Sequence, residues 1–150
     1  MECFRITHAQ YVDTLYASGR AGRWNAEKQR LIYTAASCSL ACLENVVHRS
    51  GRGLNALFKV MVIYIPDDLY IETLDTSQLP EQWYQSVYVP ECKRVGDAWL
   101  NSQRSPVLKV PSAIIPNEYD YLLNPLHQDF EKIRLIATED FRFDMRIKGQ

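Results

Sequence analysis

A mixed α+β fold is predicted by three observations. Short runs rich in Val, Ile and Tyr read as strands, helical segments fall among them irregularly, and no regular helical crossover recurs between strands as a doubly wound sheet would need. The expected organisation is a single compact domain spanning residues 1–150, a mixed sheet with flanking helices. A chain of 150 residues can bury a substantial core without disulfides or metal. At 47% hydrophobic residues it is no tail or linker, and no repeat or low-complexity stretch divides it.

The elements follow in order. Thr7-His8-Ala9-Gln10 before Tyr11, Val12, Leu15 and Tyr16 predicts a short amphipathic helix, with Thr7 as N-cap and Gly19 as its stop. A turn carries Gly22-Arg23-Trp24-Asn25. Residues 31–35 form a compact strand, and residues 37–49 a helix ending at Gly51 and Gly53. At 3.6 residues per turn, Leu40, Leu43 and Val47 share one stripe of that helix, with Glu44 on its edge. Residues 58–65 give the strongest strand signal, stopped by Pro66, and 69–74 add a further candidate. After a looser stretch punctuated by Pro80 and Pro90, residues 95–100 suggest a helix starting near Pro90-Glu91. Residues 107–115 read as a strand interrupted at Pro111-Ser112, because proline cannot donate to a ladder. Residues 133–137 and the alternating 141–147 complete the sheet as two closing strands.

Charge narrows the function. Seventeen basic residues against 18 acidic ones leave a net charge of -1, without the basic excess that non-specific nucleic-acid binding wants. The loose group Arg49, Arg52 and Lys59 reads as a solvated helix end. No basic, apolar leader opens the chain and no stretch is long and apolar enough to span a bilayer, so the expectation is a reduced, cytoplasmic protein. Cys3, Cys38, Cys42 and Cys92 lack paired spacing, and a metal is not expected.

Phosphate-binding glycine loops and a nucleophile elbow are absent, Ser112 lying in Val110-Pro111-Ser112-Ala113. What remains is a half-buried glutamate, arginines near turns and aromatic rings. A carboxylate at a helix's apolar edge must be satisfied or used. Guanidinium forks bind pyrophosphate and aromatic faces take a flat base, so the set suits an anionic, aromatic ligand.

Phe4-Arg5-Ile6, Gly22-Arg23-Trp24-Asn25, Leu31-Ile32-Tyr33-Thr34-Ala35, Ser39-Leu40-Ala41-x-x-Glu44-x-x-x-His48, Val110-Pro111-Ser112-Ala113 and Leu123-Asn124-Pro125-x-His127 together resemble the RES domain family, in order and over nearly the whole chain. The chain departs from the family pattern at Ala26-Glu27-Lys28-Gln29, which lacks a glycine often present there. The resemblance implies an ADP-ribosyltransferase-like fold, the toxin of a toxin–antitoxin pair, NAD consumption, and a helix-turn-helix (Xre-like) antitoxin as partner. Carried over by position, it puts Arg5, Arg23, Tyr33, Glu44 and Ser112 around NAD, with Asn124 and His127 more structural than catalytic. Cleaving the nicotinamide–ribose bond builds oxocarbenium character, which a carboxylate such as Glu44 stabilises. Arg5 and Arg23 would meet phosphates, Tyr33 would stack or hydrogen-bond near the nicotinamide, and Ser112 would hold a polar group of nicotinamide or ribose. Water, inorganic phosphate or a protein side chain could accept the ADP-ribose, and a non-catalytic nucleotide- or antitoxin-binding module is the alternative of a different class.

Overall fold

The computed structural model describes residues 1–49 and 53–147, so the expected helix stop at Gly51 and the charge at Arg52 lie outside the described residues. Seven strands form one sheet: β1 (Glu2–His8), β2 (Ile32–Ala35), β3 (Phe58–Tyr64), β4 (Ile71–Thr73), β5 (Val107–Pro111), β6 (Tyr119–Leu123) and β7 (Arg134–Phe141). Their spatial order is β4-β5-β6-β2-β1-β3-β7. Among the described residues only the β4–β5 pair is parallel, so the sheet is mixed as expected. Among the described residues two helices, α1 (Cys38–His48) and α2 (Val89–Ser102), complete the fold with short 3-10 turns. No helix among the described residues is long and apolar enough to cross a membrane.

Both helices cover the same face. Successive strand side chains point to opposite faces, and Phe4 and Ile6 of β1 pack with Leu40 and Ala41 of α1. Leu108, Val110 and Leu122 of β5 and β6 pack with Cys92, Val95 and Trp99 of α2. Gly96 lets α2 lie against the turn at Trp24, since a Cβ there would sit 1.8 Å from the Trp24 carbonyl oxygen. The opposite face buries Cys3, Ile32, Met61, Ile63, Val107, Tyr121 and Leu123 beneath Val12, Ala17, Leu69 and Ile133.

Several expected elements change. No helix spans residues 7–16: β1 runs through Thr7 and His8, which pair with Lys59 and Phe58, and only a 3-10 turn at Ala9–Tyr11 follows. Pairing along β3 outweighs the local N-cap signal. Strand β6 was absent from the pattern because Asp120 breaks its apolar run. Residues 141–147 do not form a second closing strand; one strand ends at Phe141, and the Asp144 carboxylate accepts from the Arg146 amide at 2.8 Å to make a turn. The alternation there reflects Phe141 and Phe143, stacked edge-on, with Phe143 packed on Phe58. On α1 the packed stripe is Leu40 and Ala41 with Cys38, Cys42 and Val46, leaving Val47 exposed. Lys59 pairs with Asp140, and Arg49 lies over the Phe58 ring, so neither joins a phosphate track.

Candidate functional site

Between the two helix-covered clusters, the same sheet face carries Tyr33 on β2 and Asp120 on β6, whose neighbour across the ladder is Ala35. Glu44 reaches this patch from α1. The helix is set in place by Ser37, whose hydroxyl accepts from the Leu40 amide at 3.1 Å, and by Asn45, whose amide donates to the Ile6 carbonyl at 3.0 Å. These fix the roll that puts Glu44 over the sheet rather than in solvent.

Ser112 comes from the end of β5. Pro111 ends the ladder, and the chain bends so that the Ser112 hydroxyl accepts from the amides of Ile114 and Ile115 at 3.1 and 3.2 Å. With both amides directed at the oxygen, its proton is free to go outward, and it donates to Glu44 Oε1 at 3.2 Å. The carboxyl of Asp120, opposite Ala35 on this face, lies within hydrogen-bonding reach of Glu44. Burial pushes the Glu44 carboxyl above its ordinary range, and the hydrogen bonds from Ser112 and Asp120 and the charge of Arg23 partly offset this. Asp120 is pushed up to about 8, by burial first and then by the charge of Glu44.

Arg23 and Tyr33 are organised by one tight turn. Asn25, 1% exposed, donates through its side-chain amide to the carbonyls of Arg20, Ala26 and Gln29, and accepts from the Tyr33 hydroxyl. That hydroxyl in turn accepts from the Trp24 amide at 3.0 Å. Gly22 is required here, because a Cβ would lie 2.4 Å from the Tyr33 oxygen. Burial raises the Tyr33 hydroxyl above its ordinary value, and it stays protonated to hold the turn. Arg23 is pinned by donating to the carbonyls of Trp83 and Tyr84 at 3.1 and 3.0 Å, close enough for its charge to act on Glu44.

Arg5 is not brought to this patch. It alternates with Phe4 and Ile6 and so points to the opposite face, where its guanidinium donates to the Tyr16 carbonyl at 2.7 Å. Beside that anchor, an open depression of about 260 Å³ is lined by Gln10, Tyr11, Asp13, Thr14 and Tyr16. Asn124 and His127 are buried and shape the turn after β6: Asn124 donates to the Leu100 carbonyl and accepts from the Leu126 amide, and His127 Nδ1 accepts from the Asp129 amide. Cys38 and Cys42 pack beside α1's apolar cluster, and no cluster of potential metal ligands occurs among the described residues.

The sequence reading missed Asp120. Once Tyr119-Asp120-Tyr121-Leu122-Leu123 is recognised as a strand, alternation puts Asp120 on the inward side with Leu122. An acid at such a position was the signal. The carbonyls of Trp83 and Tyr84 that hold Arg23 carry no signal at all, since backbone groups are common to every residue.

Comparison with known proteins agrees with this architecture. The model of the RES domain matches residues 2–145. Two proteins named toxin Res are similar to the chain: that of Photorhabdus laumondii is 35% identical, covering 98% of this chain and 97% of the relative, and that of Yersinia enterocolitica is 33% identical, covering 99% and 100%. A Sphingobium protein named Prs ADP-ribosylating toxin is 34% identical over 84% of this chain and 80% of its own. The solved Mycobacterium tuberculosis MbcT–MbcA toxin–antitoxin complex contains a chain that superposes with a TM-score of 0.78 at 21% identity, covering 94% of this chain and 84% of that one. At that identity the likeness speaks for the fold.

Proposed function

The chain belongs to the RES domain family, and on that premise we propose that it is the toxin of a toxin–antitoxin pair, an enzyme that cleaves the nicotinamide–ribose bond of NAD. The observation that carries the reading is the meeting of Arg23, Tyr33, Glu44 and Ser112 on one half-buried patch, from four segments separated in the chain. Departure of nicotinamide leaves positive charge on the ribose, and Glu44 is the carboxylate that stabilises it. An electrostatic partner of this kind acts most strongly where burial has removed competing water. Ser112 holds Glu44 by a charge-assisted hydrogen bond, its own oxygen fixed by the amides of Ile114 and Ile115. Arg23, held rigid by two carbonyls, meets the pyrophosphate with the edge of its guanidinium. Tyr33, its hydroxyl committed to the turn, offers the face of its ring. Arg5 serves the fold from the other side of the sheet.

The Sphingobium relative's name supports NAD as the source of ADP-ribose. The mycobacterial complex supports an antitoxin partner, for which the family resemblance suggests a helix-turn-helix protein. The cytoplasm, where NAD is abundant, is the compartment in which such a toxin would act. Water or inorganic phosphate is the acceptor in this reading. Incubating purified protein with NAD, with and without phosphate, should release nicotinamide; intact NAD under both conditions overturns the proposal. Faster release with phosphate, together with an ADP-ribose phosphate product, identifies a phosphorylase.

A second reading, favoured by the same relative's name, makes a protein side chain the acceptor. Labelled NAD added to cell extract separates the two. Label left on protein supports the transferase, and label only in small products supports NAD degradation.

A further inference from the structure

We propose that Glu44 and Asp120 act as one carboxyl–carboxylate pair that holds a single proton, with Asp120 as the positioning residue that donates it to Glu44. The geometry comes from three elements. Asp120 sits inward on β6 beside Tyr33 and Ala35, Glu44 comes down from α1, and Ser112 reaches Glu44 from the end of β5. Two carboxyl groups can hydrogen-bond only if one is protonated, and burial in contact makes a double negative charge costly.

Of the two, Asp120 is the group that keeps the proton. It is the more strongly raised, being buried first and repelled by Glu44, and Glu118 adds to the repulsion from the loop before β6. Glu44 is favoured as the anion, because Ser112, Arg23 and His48 all act to lower it. Tyr33 faces the pair from β2 as a neutral hydroxyl whose own value is raised, in part by Asp97 and Asp120. A pair that titrates together shows macroscopic behaviour belonging to both groups.

The consequence is orientation. With Ser112 donating to Glu44 from one side and Asp120 from the other, the carboxylate is fixed in direction, and the pair offers one negative charge to a developing cation. Loss of the shared proton at high pH would turn the Asp120 contact from a hydrogen bond into a repulsion and release Glu44 from position. The kinetic part of this inference rests on the NAD-cleaving reading; the shared proton does not.

The test pairs Asp120→Asn, whose amide still donates to Glu44 but cannot ionise, with Asp120→Ala, which removes the donor. The proton is followed without reference to activity, by carbon-13 NMR titration of Asp and Glu carboxyl groups in the full chain. One carboxyl should titrate near pH 8 in the parent and vanish from that range in Asp120→Asn. Its absence from the parent, or its survival in Asp120→Asn, overturns the pair. In parallel, kcat for nicotinamide release should fall above about pH 8 in the parent and lose that limb in Asp120→Asn. Asp120→Ala should lower kcat by about tenfold to a hundredfold with little change in KM, the loss of one oriented bond to a charged group. An Asp120→Asn protein that folds, as judged by its thermal midpoint, yet is as slow as Asp120→Ala overturns the positioning role. A parent that releases no nicotinamide defeats the NAD reading, and the NMR titration still decides the pair.

Discussion

The two faces of the sheet each hold an arginine that donates to backbone carbonyls, and the difference between them separates support from chemistry. Arg5, on the face packed around Cys3, Ile32 and Met61, is lowered by burial and anchors the Tyr16 carbonyl, fastening the segment after β1 to the sheet. Arg23, on the helix-covered face, is anchored in the same way to Trp83 and Tyr84, but its charge acts on a half-buried carboxylate that also touches Ser112 and Asp120. Residue type and hydrogen-bond pattern are alike. What differs is the company: one guanidinium has a fold to hold, and the other faces groups whose charges are adjusted by burial and by each other.

The comparison can be broken most severely at Glu44. Glu44→Ala should lower nicotinamide release by at least about a hundredfold to a thousandfold, the loss expected when an electrostatic partner is removed from a water-poor site. Its thermal midpoint should stay close to the parent's, because the removed group is a half-buried acid whose burial is unfavourable. Ser112→Ala should cost less, about tenfold in kcat, since it removes one charge-assisted hydrogen bond and leaves Asp120 in place. Both are read from steady-state rates.

Gly96→Ala sharpens the comparison through the fold. A Cβ at 1.8 Å from the Trp24 carbonyl oxygen must push α2 away from the turn that carries Arg23. Chemical denaturation should show a loss of about 1–3 kcal/mol, the usual cost of overpacking a closed contact, together with a raised KM. Arg5→Met should do the reverse. It should lose about 1 kcal/mol from one hydrogen bond at the rim of that face and leave kcat and KM near the parent's.

A further effect is a slope with pH. Asp120 binds its proton more tightly in the folded chain than in the unfolded one, so its contribution to stability is full below the ordinary aspartate range. It is lost as the pH rises toward about 8. Asp120→Asn does not ionise. Its thermal midpoint should therefore gain on the parent's steadily from acid to pH 8, and an unchanging difference across that range would contradict the linkage.

How much of this was legible in the sequence depended on whether the signal was local. Helix α1 was readable because Leu40 and Leu43 recur at helical spacing within residues 37–49, and the end of β5 was readable because Pro111 cannot donate. The pieces that failed were decided by partners distant in the chain. Thr7 and His8 carry a plausible helix start, yet they belong to β1 because Lys59 and Phe58 lie opposite them. The roll of α1 is set by contacts with β1 and β2, which bury Ala41 and leave Val47 outside. The same limit applied to the site. Arg23, Tyr33, Glu44 and Ser112 came from motif order, but the side of the sheet on which Arg5 falls follows from alternation along β1, a strand the local pattern had not assigned. Asp120 was hidden for the same reason, as its strand went unrecognised.

The central claim is that NAD binds on the helix-covered face, over Glu44, and not behind the sheet beside Arg5. Amide NMR of the Glu44→Gln protein, which should bind NAD without consuming it, tests this most directly. Titration with NAD should shift the amides of Trp24, Ala113 and Asp120 and leave those of Tyr11, Thr14 and Tyr16 in place. Shifts confined to Tyr11, Thr14 and Tyr16, with the Trp24 and Ser112 regions unmoved, would contradict the account.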